Sequence, residues 1–281
     1  MDYILVTGAY GGMGQATVRE LRARGFGVFA LDRRVPDATV PGDAVPDGVI
    51  SLEADVTDEQ SIRRAAARVR EVTDRLYAIV HFAGVYMLDS LVEMDSANFE
   101  RIFRINVFGA FLVNKAFLPL LSRGGRIVMT TSELAPLDPL PFTGIYAVTK
   151  SALDKYAYSL RMELQLLGIY VSVLRAGAVK TDMLGASTDA LGRFCERTQL
   201  YSCNAERFRR IVDSVEAKCV SPEAIAARMA RIVTARSPRF AYSINRNPLL
   251  RMMNALPRRT QLWAIRQVLK TDGGESNADK K

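Results

Sequence analysis

The sequence predicts an α/β protein: a doubly wound parallel sheet in a single domain, with an amphipathic helical extension at the C-terminal end. Short, continuously apolar runs alternate with stretches of helical periodicity along most of the chain, which is how strands buried on both faces read. A glycine-rich turn, Gly8 to Gly14, joins the first run to the first helical stretch. At 281 residues and 49% hydrophobic, the chain carries enough apolar material for one large core.

Tyr3–Thr7 is the first strand, and a helical pattern follows from Gly14 to Arg24. Gly27–Leu31 is the second strand and ends at Asp32. Pro36–Gly48, rich in Pro, Gly and Asp, reads as a loop. Val49–Glu53 is the third strand, Asp58–Thr73 a charged helix and Ala78–Phe82 the fourth strand. Ser96–Leu121 is helical and apolar on nearly every side, which predicts burial on more than one side. One side suits the sheet; the other suits a second subunit, in a homodimer or homotetramer. Arg126–Thr131 is the fifth strand, Tyr146–Leu167 a second long helix and Tyr170–Leu174 the sixth strand. Ser221 caps a helix with Pro222 in its first turn, running to about Ala235. Phe240–Ile244 completes the sheet.

Residues 1–246 thus form the main unit. Within it, 182–219 reads as an irregular insert, turning helical from Ala205. Residues 247–270 split at Pro257 into two short, basic, amphipathic helices. These suit packing on the protein or peripheral contact with an anionic membrane. Residues 271–281 are polar and read as a disordered tail.

The net charge of +8 is concentrated in Arg193–Arg210 and Arg228–Lys270. No nucleic-acid motif accompanies it, so nucleic-acid binding is not expected. Three cysteines without metal spacing, and one histidine, predict neither a disulfide scaffold nor a metal site. They fit free thiols in a reducing cytoplasm. Met1–Gly8 lacks the pattern of a signal peptide, and no uninterrupted apolar run reaches the roughly 18 residues of a membrane span.

Thr7-Gly8-Ala9-Tyr10-Gly11-Gly12-Met13-Gly14 has the form of a phosphate cradle. Gly8 suits a tight turn, Gly12 a close backbone approach to a pyrophosphate, and Gly14 helix–strand packing, with the helix N-terminus facing the anion. This is the Rossmann-type signature, supported by an acidic residue, Asp32, 24 positions after Gly8. A carboxylate there suits the ribose hydroxyls of NAD and repels a 2′-phosphate. Arg33 beside it suits NADP, which stays open as the alternative. Asp55-Val56, after the third strand, suits the adenine edge or a helix cap.

Tyr146 and Lys150 are four apart at a helix start and share a face. A nearby ammonium favours the phenolate, so this tyrosine suits proton exchange with an alcohol or ketone. Ser132 lies 14 residues before Tyr146, just past the fifth strand, where it can hydrogen-bond a substrate oxygen.

On these motifs, from Tyr3 to about Tyr242, the sequence resembles the short-chain dehydrogenase/reductase family. The resemblance implies an NAD(P)-dependent oxidoreductase, with Ser132, Tyr146 and Lys150 catalytic and Asn106 anchoring a proton-relay water. It implies cofactor contacts from Tyr10, Gly11 and Met13 in the cradle, from Ala83 and Gly84, from Tyr146 and Lys150, and from Val179 and Thr181 at the nicotinamide. Two positions depart from the family pattern: His81-Phe82 replaces Asn-Asn before Ala83-Gly84, and Ala176-Gly177 replaces Pro-Gly. Loose similarity to hydroxysteroid and retinol dehydrogenases, with Met183, Leu184, Leu191, Phe194, Leu200 and Tyr201 in the variable segment, implies a hydrophobic alcohol or ketone. A dinucleotide-sensing protein without catalysis is the reading from another class, and the complete Ser132, Tyr146, Lys150 set argues against it.

Overall fold

The structure of the chain, a computed structural model, describes residues 1–36, 46–216 and 218–270. The strands are β1 (Tyr3–Thr7), β2 (Gly27–Asp32), β3 (Val49–Glu53), β4 (Leu76–His81), β5 (Leu121–Ser132), β6 (Tyr170–Ala176) and β7 (Ala241–Ile244). They form one parallel, seven-stranded sheet in the order β3-β2-β1-β4-β5-β6-β7. The order reverses between β1 and β4, which opens a crevice at their C-terminal ends.

Alternation along the central strands fills two cores. Leu5, Phe29 and Leu31 face one side with α2 (Glu59–Arg70), α4 (Gly109–Phe117) and α5 (Gly144–Leu164). Ile4, Val6, Val28 and Ala30 face the other with α1 (Gly12–Ala23) and α8 (Pro222–Thr234). The inner strands are covered on both sides, so their continuous apolar runs are accounted for, while the edge strands β3 and β7 are only partly buried.

The stretch expected as one helix from Ser96 is divided. Helix α3 (Ser96–Phe103) passes through a π turn, Arg104–Phe108, into α4. The widened turn carries Asn106, and such bulges inside helices frequently sit at functional sites. By length and composition Ser96–Leu120 is apolar enough to cross a bilayer. Here Leu112, Val113 and Phe117 pack into the sheet, while Phe99, Phe108 and Phe111 are exposed.

The segment 182–219 holds the helix expected from Ala205, as α7 (Ser202–Glu216), but the stretch before it is not irregular: it forms α6 (Asp182–Arg197). Leu191 and Phe194 from α6, and Ala205, Phe208 and Val212 from α7, build a third core with Leu88 and Phe142. The helical period lay hidden because polar residues and Gly185 and Gly192 dilute it. Leu200, expected against the substrate, is exposed between these helices. The side chains of Met183 and Leu184, part of the 37–45 loop and the tail 271–281 lie outside the described residues.

As expected, the C-terminal segment forms two helices, α9 (Pro248–Ala255) and α10 (Arg258–Leu269), separated at Pro257. Helix α10 packs on the third core through Ile265 and Leu269.

Candidate active site

The turn from β1 to α1 is shaped by the groups around it. Gly8 has φ +64°, and a Cβ there would lie 2.6 Å from the backbone nitrogen of Ala83. A Cβ on Gly12 would meet the Thr181 methyl at 2.9 Å, so Gly12 is required by the protein itself. Gly11 caps α1 with no side-chain hydrogen bond, and the first turn holds no acidic residue. A helix N-terminus left this way suits the pyrophosphate of a dinucleotide. The residues present therefore fit NAD or NADP, which Tyr10 to Gly14, Asp32, Ala83-Gly84 and Val179 to Thr181 could hold.

Asp32 stands at the end of β2 with both carboxylate oxygens engaged. Oδ2 accepts from the backbone N–H of Tyr10 at 3.0 Å and Oδ1 from that of Arg33 at 2.7 Å. The Tyr10 hydroxyl lies 2.5 Å from Ser51 Oγ. Asp32 thus braces the cradle as well as facing the ribose position, and Arg33 beside it is exposed. Asp55 is not the helix cap: its Oδ1 accepts from the N–H and hydroxyl of Thr57, both at 2.8 Å. Asp58 caps α2, accepting from Gln60 N–H. Val56 packs in the core beside α4.

Ser132, Tyr146 and Lys150 come together where β5 ends and α5 begins. Ser132 and Tyr146 line the same cavity, where the Ser132 hydroxyl favours the phenolate, and the Ser132 Oγ accepts from the Leu134 N–H at 3.2 Å. Lys150 is buried, and its Nζ donates to the carbonyl of Thr130 at 3.1 Å and sits 5.7 Å from the Tyr146 ring centre. Tyr86 meets Tyr146 edge-on, ring centres 4.5 Å apart. Helix α5 is locked in place by a bidentate pair, Arg175 on Asp154 at 2.9 and 2.7 Å.

Burial pushes the Tyr146 phenol up, to about 12, and the Ser132 hydrogen bond offsets only part of this. Burial pushes Lys150 down, to about 8. The polypeptide alone thus holds the phenol protonated, because desolvation disfavours the phenolate more than nearby groups favour it. That is the form that donates to a carbonyl oxygen.

Asn106 is buried in the π turn and its amide is taken up by protein. Nδ2 donates to Val85 O at 3.0 Å and Thr149 Oγ1 at 3.1 Å, and Oδ1 accepts from Val85 N–H at 2.8 Å. The side chain clamps the loop after β4 to α5. Thr7 Oγ1 holds the same loop through Ala83 N–H, at 3.3 Å. His81 is also structural: its Nε2 lies 2.9 Å from Asn114 Oδ1, and Asn114 Nδ2 donates to the Tyr156 hydroxyl at 3.1 Å. Burial holds its imidazole down, at about 4.

Tyr146 and Ser132 open into a cavity of about 360 Å³. Its walls include Leu134, Leu140 and Pro141 after β5, Phe208, Ile211 and Val212 of α7, and Leu249, Leu250, Met253, Ile265 and Val268 of the C-terminal helices. Of the residues expected over the substrate, Phe194 and Tyr201 instead stack on Phe142 in the core behind this wall. Glu133 was not anticipated. It lines the cavity directly after Ser132, and its Oε2 accepts from Asn247 N–H at 2.6 Å. Burial raises its carboxyl above the usual range, opposed by that hydrogen bond and by Arg246. An acid following a strand-end serine carries no spacing signal.

Residues 2–192 match the family described as short chain dehydrogenase. The chain belongs to the short chain dehydrogenase family. Among relatives of this chain, estradiol 17-beta-dehydrogenase 2 of Mus musculus is 34% identical over 190 residues, 65% of this chain and 49% of that protein. An NADPH-dependent 1-acyldihydroxyacetone phosphate reductase of Schizosaccharomyces pombe is 30% identical, over 67% of this chain and 64% of that one. The uncharacterized oxidoreductase YbbO of Escherichia coli is 37% identical, over 63% and 66%. The match therefore spans about half of the mouse protein and about two thirds of the other two. A short-chain dehydrogenase from Streptomyces avermitilis superposes with a TM-score of 0.72 at 21% identity, covering 95% of this chain and 94% of that one. A 3-ketoacyl-(acyl-carrier-protein) reductase from Brucella melitensis, solved with NADH, gives 0.69 at 18% identity, covering 86% and 96%. At these identities the structures speak to the fold.

Proposed function

We propose that the chain is an NAD-dependent oxidoreductase acting on a hydrophobic secondary alcohol or ketone, steroid-like or lipid-like. The observation that carries this is the cavity of about 360 Å³ with apolar walls and Ser132, Tyr146 and Lys150 among its lining. Its volume lies in the range of small-molecule sites. A nicotinamide cofactor, when bound, supplies or accepts the hydride. Ser132 orients the substrate oxygen by hydrogen bonding. Tyr146 gives that oxygen a proton in reduction and takes one back in oxidation. Lys150 places positive charge one helical turn from the phenol, and Asn106 positions the loop that carries Ala83 and Gly84.

Asp32 supports NAD. Exposed Arg33 beside it, and the NADPH-dependent yeast relative, favour a second reading as an NADP-dependent carbonyl reductase. A panel of alcohols and ketones, followed through the absorbance of reduced nicotinamide, tests the reading. Turnover of apolar secondary alcohols or ketones supports it. Turnover confined to sugars or small polar alcohols contradicts the substrate class. The exposed rings of Phe99, Phe108 and Phe111, with Tyr158 and Met162, further support a homo-oligomer joined through α4 and α5.

A further inference from the structure

The C-terminal helices have two apolar flanks. Leu250, Met253 and Ile265 line the substrate cavity. Met252, Leu256, Leu262 and Trp263 do not line it and are 61%, 37%, 69% and 63% exposed. Leu249 and Val268 join the two flanks: both line the cavity, yet they are 56% and 55% exposed. The cavity mouth therefore opens on the same surface that shows the free apolar residues. That surface is also strongly basic. Arg251, Arg258, Arg259, Arg266 and Lys270 are exposed, and the segment 247–270 contains no acidic residue. Asp138 neutralises part of Arg258, at 3.6 Å.

We propose that α9 and α10 dock on an anionic lipid bilayer, and that substrate enters the site from that bilayer between Leu249 and Val268. The docking stands on the surface alone; the entry route rests on the proposed function. Exposed Leu, Met and Trp beside arginines are what interfacial helices present to acyl chains and anionic headgroups. A protein groove would satisfy the apolar residues equally, but five cations, only Arg258 of them paired with an acid, select a surface of dense negative charge. The route is short, because the helices that meet the lipid are themselves the cavity wall.

Trp263 is the only tryptophan in the chain and reports directly. Its emission should shift to the blue, and the full chain should sediment, with vesicles of phosphatidylcholine and phosphatidylserine. Vesicles of phosphatidylcholine alone should give little of either, and salt should reverse both. Arg259→Gln with Arg266→Gln should weaken partitioning roughly thirtyfold, since each cation near such a surface strengthens it about fivefold. Met252→Asp with Leu262→Asp should abolish docking while leaving kcat on a small water-soluble ketone unchanged, because neither residue lines the cavity. The same variant should raise KM several-fold for an apolar ketone carried in the vesicles. No emission shift and no sedimentation with anionic vesicles would overturn the docking. Docking without a KM change in the Asp variant would overturn the entry route. Docking without turnover of any ketone would defeat the proposed function and leave the docking standing.

Discussion

The backbone N–H of Asn247 donates to Glu133 at 2.6 Å, tying the start of α9 to the residue that follows Ser132. A second tie holds the far end of the same helix, where Asn254 Oδ1 accepts from Asp138 N–H at 2.6 Å. The wall over the cavity is therefore anchored to the loop that carries the candidate serine. Glu133→Ala removes the first anchor and leaves a backbone donor unpaired, a loss of about 1–3 kcal/mol. KM for bulky apolar substrates should rise several-fold with a smaller change in kcat. Glu133→Gln, which still accepts from Asn247, should restore most of the loss. Equal behaviour of the Ala variant and the wild type in steady-state kinetics would show that the tie does not shape the site.

His81 should make the protein sensitive to acid. Its imidazole is held near 4 in the native state, against an unfolded value of about 6.5. The unfolded chain takes up the proton first as pH falls, so this contribution to stability is full above about 6.5 and is lost on the way down to 4. The size is on the order of 3 kcal/mol. Carboxyls, Glu133 among them, titrate in the same window, so denaturant unfolding followed by circular dichroism is compared between the wild type and a variant lacking the chain's one histidine. His81→Asn should flatten the pH dependence, whatever it does to absolute stability. An unchanged slope in that variant would remove His81 as the cause.

Asp32 should set cofactor choice by charge. Asp32→Asn keeps an oxygen for the N–H of Tyr10 but removes the negative charge that repels a 2′-phosphate. The ratio of kcat/KM for NAD over NADP should fall about tenfold or more, the worth of one charge-assisted contact. A wild-type preference for NADP would show that Arg33 dominates.

The exposed aromatic face of α4 should hold two copies of the chain together. Phe108 and Phe111 stack on each other, ring centres 5.9 Å apart, with both rings partly in solvent. Light scattering at micromolar concentration should give a dimer or tetramer, and Phe108→Asp with Phe111→Asp should give a monomer. A wild-type monomer contradicts this.

What was legible in the sequence was local. Thr7 to Gly14, and the pair Tyr146 and Lys150, are short spacings on single elements, and the sheet brings their ends together wherever the chain alternates strand and helix. The cavity wall was not legible. Phe208, Leu249 and Val268 belong to separate helices, and nothing in their own segments says that they share a surface. The clamp made by Asn106 was half legible: an amide in an apolar helix demands partners, but the π turn that delivers it to Val85 leaves no mark in the residue pattern. The burial that raises the Tyr146 phenol was not legible, because the Lys150 spacing is visible in sequence, whereas desolvation depends on the assembled walls.

The central claim is that Tyr146 moves the proton. The most direct test is the turnover of Tyr146→Phe on the best alcohol or ketone, measured beside cofactor binding by the same variant. The phenyl ring preserves the edge contact with Tyr86 and removes only the hydroxyl that meets Ser132. The account predicts a fall in kcat of about 10²–10⁴-fold with cofactor affinity nearly unchanged. A variant that keeps more than about a tenth of wild-type kcat contradicts it.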